Sequence, residues 1–167
     1  INKRFIEKKE SIIEMAEKSC KKLIKNNNIK DIDFLILVTQ SQETGIPSSS
    51  CILHKKLGLN NNCMSFDINQ GCSGFVYSLA VATSLIRNKI AKKGIIICSE
   101  KYSKYIKKND KSCKPIFSDG SASILVETSK KNCINSFVLG TNGNGHHNLM
   151  VPSKDISIKN YKIKKGN

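Results

Sequence analysis

Apolar residues at Ile13, Ala16, Cys20, Leu23 and Ile24 recur at intervals of three and four, with lysine and glutamate between them. This spacing predicts an amphipathic helix over residues 11–24, ended by the asparagine run at 26–28. Residues 33–39 carry a short continuous apolar run of strand type, which reads as buried on both faces of a parallel sheet. A loop with Gly45 and Pro47 follows at 40–47, then a helix capped by Ser48 or Ser49 that runs to Lys56 and closes at Gly58. Residues 64–68 read as a second strand that leads at once into a helix over about 72–88, and residues 94–99 read as a third strand. Residues 122–127 and 136–140 are expected as a fourth and fifth strand, antiparallel or adjacent after the turn at Ser118, Asp119 and Gly120. The order βαβαβ followed by two strands predicts a layered α/β sheet.

Length and composition narrow the picture. At 167 residues the chain suits one α/β domain with a core and is short for two, so a single domain over 1–167 is expected. It starts at Ile1 and ends in the basic stretch 161–167, and both ends read as cuts through a larger protein. The 28 basic residues against 13 acidic ones leave a net charge of +15, which could serve a nucleic acid, an anionic membrane or an acidic protein. The lysines, however, are scattered as pairs such as Lys8-Lys9 and Lys92-Lys93 among asparagine runs, as an A- and T-rich codon bias would produce. No aromatic residues punctuate them as single-strand binding would require, so a solvated surface is expected and neither a nucleic-acid nor a membrane partner. Seven cysteines without a Cys-x-x-Cys pair argue against a disulfide framework and against a metal site. A reducing, cytoplasmic setting follows as the expectation.

The candidate chemistry sits in one place. A quarter of the residues are charged, yet none is charged between Asp67 and Arg87, so that region is expected to be buried. Within it Cys72 stands between Gly71 and Ser73-Gly74 where a strand hands over to a helix. A tight turn there uses glycine and presents the cysteine at a helix N-terminus, where the dipole and free N–H groups favour a thiolate nucleophile and could hold a thioester oxyanion. Gly71, Ser73 and Gly74 are therefore candidate elbow and oxyanion residues. The alternative is a small hydrophobe in a glycine-softened core turn, and that inert role is expected for Cys20, Cys51, Cys63, Cys98 and Cys133. For Cys72 the elbow leaves the two readings even.

The stretch 66–79, with Asp67, Cys72-Ser73-Gly74-Phe75, Tyr77 and Leu79, resembles the active-cysteine segment of the β-ketoacyl-[acyl-carrier-protein] synthase III family. Other blocks are similar in the same order: Ile46-Pro47-Ser48-Ser49-Ser50-Cys51 with Leu57-Gly58, Phe117-Ser118-Asp119-Gly120-Ser121-Ala122, the loop 140–152, and Ile1 to Arg4 at the start. The resemblance implies the N-terminal portion of a thiolase-like αβαβα fold. It implies an enzyme in which Cys72 takes an acyl group from acyl-CoA and a malonyl-acyl-carrier-protein is then condensed with it, without a cofactor or metal. It also implies a homodimer, an acidic carrier-protein partner, and Ile46 as a gate on the partner subunit's acyl pocket. The family's His and Asn stand in a His-Gln-Ala-Asn context that this chain lacks; His54, His146 and His147 do not match it, so the chain alone is expected to be inactive. Gln70 and Gly71 depart from the family's small alanines, and Asp67 and Asp119 read as structural. Two rivals remain: a related acyltransferase acting on oxygen or nitrogen in a glycan or secondary-metabolite pathway, and a basic nucleic-acid-binding domain with inert thiols.

Overall fold

A computed structural model describes residues 5–107, 109–131 and 133–151. The similarities at residues 1–4 and at Pro152, and the basic tail 161–167, lie outside the described residues. The chain forms two compact units, residues 1–135 and 136–167.

The first unit is built on a four-stranded sheet ordered β2-β1-β3-β4, from β1 (Phe34–Val38), β2 (Met64–Ile68), β3 (Lys93–Glu100) and β4 (Gly120–Glu127). β1 is parallel to both β2 and β3, while β4 runs antiparallel to β3, with Lys93 opposite Glu127 and Glu100 opposite Gly120. Every residue of β1 is buried because the strand is covered on both faces, as its unbroken apolar run predicts. Alternation along the strand divides those side chains. Leu35 and Leu37 face α1 (Ile12–Asn26) and α2 (Ser49–Leu57), whereas Phe34, Ile36 and Val38 face α3 (Gly74–Arg87). The unit is thus a helix–sheet–helix sandwich.

Local chemistry sets the helix ends. At the start of α1, the Ser11 hydroxyl accepts from Glu14 N–H at 3.1 Å and the Glu14 carboxylate accepts from Ser11 N–H at 2.8 Å, a reciprocal capping box. Asn27 closes the helix by donating through Nδ2 to Leu23 O. α2 ends at Gly58, whose φ of 66° lies in the left-handed region. Its start departs from the expected serine cap: Ser48 occupies the cap position without a side-chain capping bond. The free N–H groups of Ser49 and Ser50 instead donate to the two oxygens of Asp67, each at 2.8 Å. A carboxylate brought from β2 meets both donors at once, which a single hydroxyl cannot do. Asp67 is a strand-end hydrogen-bonding residue, as expected.

Three expectations need correction. Residues 136–140 form no strand, and Val138 is 97% exposed. Within the second unit the described residues contain a single 3-10 turn, Gly143–Gly145, and no strand for that segment to pair with. Nor is the charge-free region wholly buried: Gly74, Ser78 and Ala82 pack inward from α3, while Phe75 and Val76 are 40% and 44% exposed. Helical geometry lets only one stripe of α3 reach the sheet, so the absence of charge marks an apolar outer face as well as an inner one. Finally, Cys51 and Cys133 are exposed. The inward stripe of α2 runs through Ser49, Ser50, Leu53 and Leu57, which turns Cys51 outward against Ser48 Oγ; Cys133 lies in the irregular segment after β4.

Candidate active site

The chain leaves β1, adds β2 on one side and then returns to place β3 on the other. Where such a parallel sheet reverses its winding, the carboxyl ends of the strands leave an open crevice. Three segments meet at that end: Thr39 to Gln42 after β1, Asn69 to Ser73 after β2, and the last residue of β3, Glu100, with 101–105 after it.

Cys72 lies in the turn between β2 and α3, and it is exposed. Gly74 N–H donates to Gly71 O at 2.8 Å, closing the turn, and Tyr77 N–H donates to Ser73 O at 3.1 Å, starting the helix. The Gly74 N–H thereby serves the elbow itself. Glycine at 74 is a matter of close approach, since a Cβ would lie 2.4 Å from Val38 Cγ1 on β1. Gly71 is crowded from another side: a Cβ there would lie 2.8 Å from Gln40 Oε1 and 3.5 Å from Tyr102 Oη. Ser73 occupies the cap position of α3 and makes no side-chain cap bond.

Residues that sequence reasoning missed hold the strand end facing this elbow. The Glu100 carboxylate accepts from Gln40 N–H at 2.7 Å and from the Ser41 hydroxyl. Tyr105 Oη donates to Gln40 O at 2.9 Å, and Lys104 Nζ donates to Ser41 O at 2.7 Å and Gln42 O at 3.0 Å. The Gln42 bond is the longer of the two. Tyr102 Oη donates to Gln40 Oε1, with its ring 5.1 Å from that of Phe117. Burial pushes the Glu100 carboxyl above its ordinary range, against the opposing pull of the Ser41 and Gln40 bonds and Lys104. Burial, followed by the nearby Glu100 charge, pushes the Tyr102 phenol up to about 12, so it remains a donor at neutral pH. These partners stand some 60 positions from Gln40 in sequence, and the one local signal was a glycine where the resembling family carries alanine.

The remaining thiols differ in setting. Burial raises Cys20 and Cys98, and burial with the nearby Asp33 charge raises Cys63 to about 11. Ile46 is 92% exposed in the loop between β1 and α2. His54 Nε2 lies 3.0 Å from Asn60 O, and His146 and His147 pack ring edge to face beside Gly143. Asp119 is buried; its carboxylate accepts from Glu7 N–H, Ser103 N–H and the Ser103 hydroxyl, a bracing role that fits its structural reading. Among the described residues no helix is long and apolar enough to cross a membrane.

A mixed sheet between helices, with a cysteine elbow at its winding reversal, places the chain in the thiolase-like class of α/β folds. A family model, 3-oxoacyl-[acyl-carrier-protein] synthase III, matches residues 66–143. The β-ketoacyl-[acyl-carrier-protein] synthase III of Clostridium botulinum (strain Loch Maree) is 35% identical across the whole chain, which covers 52% of that protein. A crystal structure of a 3-oxoacyl-[acyl-carrier-protein] synthase III superposes with a TM-score of 0.83 at 32% identity, over 89% of this chain and 45% of that one. The Burkholderia xenovorans 3-oxoacyl-[acyl-carrier-protein] synthase gives a TM-score of 0.82 at 30% identity, over 92% and 45%. Over its whole length the chain is similar to proteins named β-ketoacyl-[acyl-carrier-protein] synthase III. It spans about half the length of the curated relatives it matches.

Proposed function

We propose that this chain carries the nucleophilic half of a synthase III type condensing reaction, with Cys72 as the acyl-carrying residue. The observation that supports it most is the exposed residue Cys72 on a glycine-bounded elbow at the carboxyl ends of the parallel strands. In the first stage the Cys72 thiolate attacks the thioester carbonyl of an acyl-CoA; a carbon–sulfur bond forms and the CoA thiolate leaves. In the second, malonyl-acyl-carrier-protein loses carbon dioxide, its carbanion attacks the acyl-cysteine, and the Cys72 thiolate leaves as the carbon–carbon bond forms. Storing the acyl group on sulfur divides one difficult bond formation into two easier steps. The reaction would initiate fatty-acid synthesis in the cytoplasm.

Gly71 and Gly74 shape the elbow, and Ser73 stands at the helix cap where backbone donors can meet the oxyanion. Ile46, apolar and exposed, is assigned to limit the acyl pocket of a second copy in a homodimer. The lysine-rich surface suits the acidic carrier protein, whose docking should weaken as salt rises. The test is intact-protein mass after incubation with a panel of acyl-CoAs, with Cys72→Ala as control. One acyl adduct that vanishes in Cys72→Ala is expected; adducts retained in that variant would refute the assignment.

A further inference from the structure

Gln40 is held at three points: its N–H by the Glu100 carboxylate, its carbonyl by the Tyr105 hydroxyl, and its side-chain oxygen by the Tyr102 hydroxyl. An exposed glutamine is ordinarily free to rotate; here two anchors fix the backbone and the Tyr102 bond restrains the side chain before any ligand arrives. The amide oxygen lies against Gly71, where a Cβ would come within 2.8 Å of it, so the side chain abuts the residue preceding Cys72. With the oxygen turned to Tyr102, the N–H2 is the donor end of the amide. Tyr102 in turn is braced by Phe117 and by the edge of Tyr105, with ring centroids 5.1 and 6.3 Å away.

We propose that Gln40, fixed by Tyr102, is a specificity-determining residue beside Cys72, forming a polar wall that favours short or oxygen-bearing acyl groups on the sulfur over long alkyl chains. An alkyl chain laid along this wall would strip the amide of water and offer it no acceptor. A carbonyl or hydroxyl oxygen on the group would accept from the N–H2. The proposal rests on the reading of Cys72 as the acyl-carrying nucleophile.

The whole chain is treated with methyl or hexyl methanethiosulfonate, and labelling at each cysteine is followed by peptide mass. The cysteine sulfur attacks the reagent's sulfenyl sulfur, a disulfide forms and methanesulfinate leaves, so the two reagents differ only in the alkyl group delivered. Gln40→Leu is expected to raise the hexyl-to-methyl rate ratio at Cys72 by about threefold or more. Tyr102→Phe, which keeps the ring and frees the amide, should move it the same way, while the exposed Cys51 and Cys133 serve as unchanged internal references. A ratio at Cys72 that stays constant in both variants, with Cys72 still reactive, overturns the wall and leaves the nucleophile standing. Wild-type Cys72 reacting no faster than Cys51 or Cys133 would instead remove the nucleophile, and the wall with it.

Discussion

Adding one methyl group at Gly74 tests whether the elbow is set by contact with the sheet. The new Cβ would lie 2.4 Å from Val38 Cγ1 and 3.2 Å from Gln70 Cβ. Relaxed carbon pairs sit roughly 3.5–4.0 Å apart, so the Val38 contact falls short by more than an ångström. Val38 is 3% exposed and packed in the α3 side of the core, so it has little room to yield. The first turn of α3 must lift from the sheet, at a cost of about 1–3 kcal/mol for overpacking. The helix preference for alanine opposes this by up to ~1 kcal/mol, less at a first helical position, and the clash should win. Val38→Ala alone should cost about 2 kcal/mol for two lost methyl groups. It also vacates the space the new Cβ needs, so the double variant should be more stable than the sum of the two, by a coupling of roughly 0.5–3 kcal/mol. Urea denaturation with an unchanged m-value gives the four corners of the cycle, and labelling of Cys72 by iodoacetamide reports the elbow. Additivity within about 0.4 kcal/mol, or a Gly74→Ala variant as stable as wild type, would refute the argument.

Other outcomes follow from the same geometry. Gly94→Ala would put a Cβ 2.2 Å from the ring of the buried Phe34 directly opposite, and thermal melts should show a loss of about 1–3 kcal/mol or more. Asp67→Ala strips two N–H groups at the start of α2 of their carboxylate and should cost about 3 kcal/mol by denaturant titration; a loss below about 1 kcal/mol would contradict the capping role. Near neutral pH iodoacetamide should spare Cys20, Cys63 and Cys98, whose raised pKa values keep the thiol protonated, and Cys63 should react only as pH approaches about 11; early labelling of Cys63 would show that its burial is wrong. Glu100 holds its proton more tightly when folded than unfolded, so its ionisation cost is absent below the ordinary carboxylate range and grows as pH rises through its raised folded value. The stability of Glu100→Gln relative to wild type should therefore improve with rising pH across that window, and a flat difference would show that the carboxyl is not desolvated.

Short-range patterns carried most of the architecture. The strand at Phe34–Val38, the strand at Met64–Ile68, the amphipathic helix that starts by Ser11 and the stop at Gly58 were all legible, because periodicity and backbone preference act between residues near in sequence. The same holds for the glycine-bounded cysteine between a strand and a helix. Which face of α2 turned Cys51 outward, and that α3 kept Phe75 and Val76 exposed, depended on where the sheet lay. Residues 136–140 had the composition of a strand and no strand beside them among the described residues of their own unit, and β structure exists only through a partner.

What the chain alone determined is an α/β alternation and a glycine-bounded cysteine where a strand hands over to a helix, both consequences of neighbours along the backbone. What tertiary structure decided is the company that cysteine keeps. Gln40 is tied to Glu100, Tyr102 and Tyr105 across about 60 residues, and Asp67 caps a helix that begins 18 positions earlier. Such pairings arise only when parallel strands bring their carboxyl ends side by side, and no local preference encodes which distant side chains will meet there.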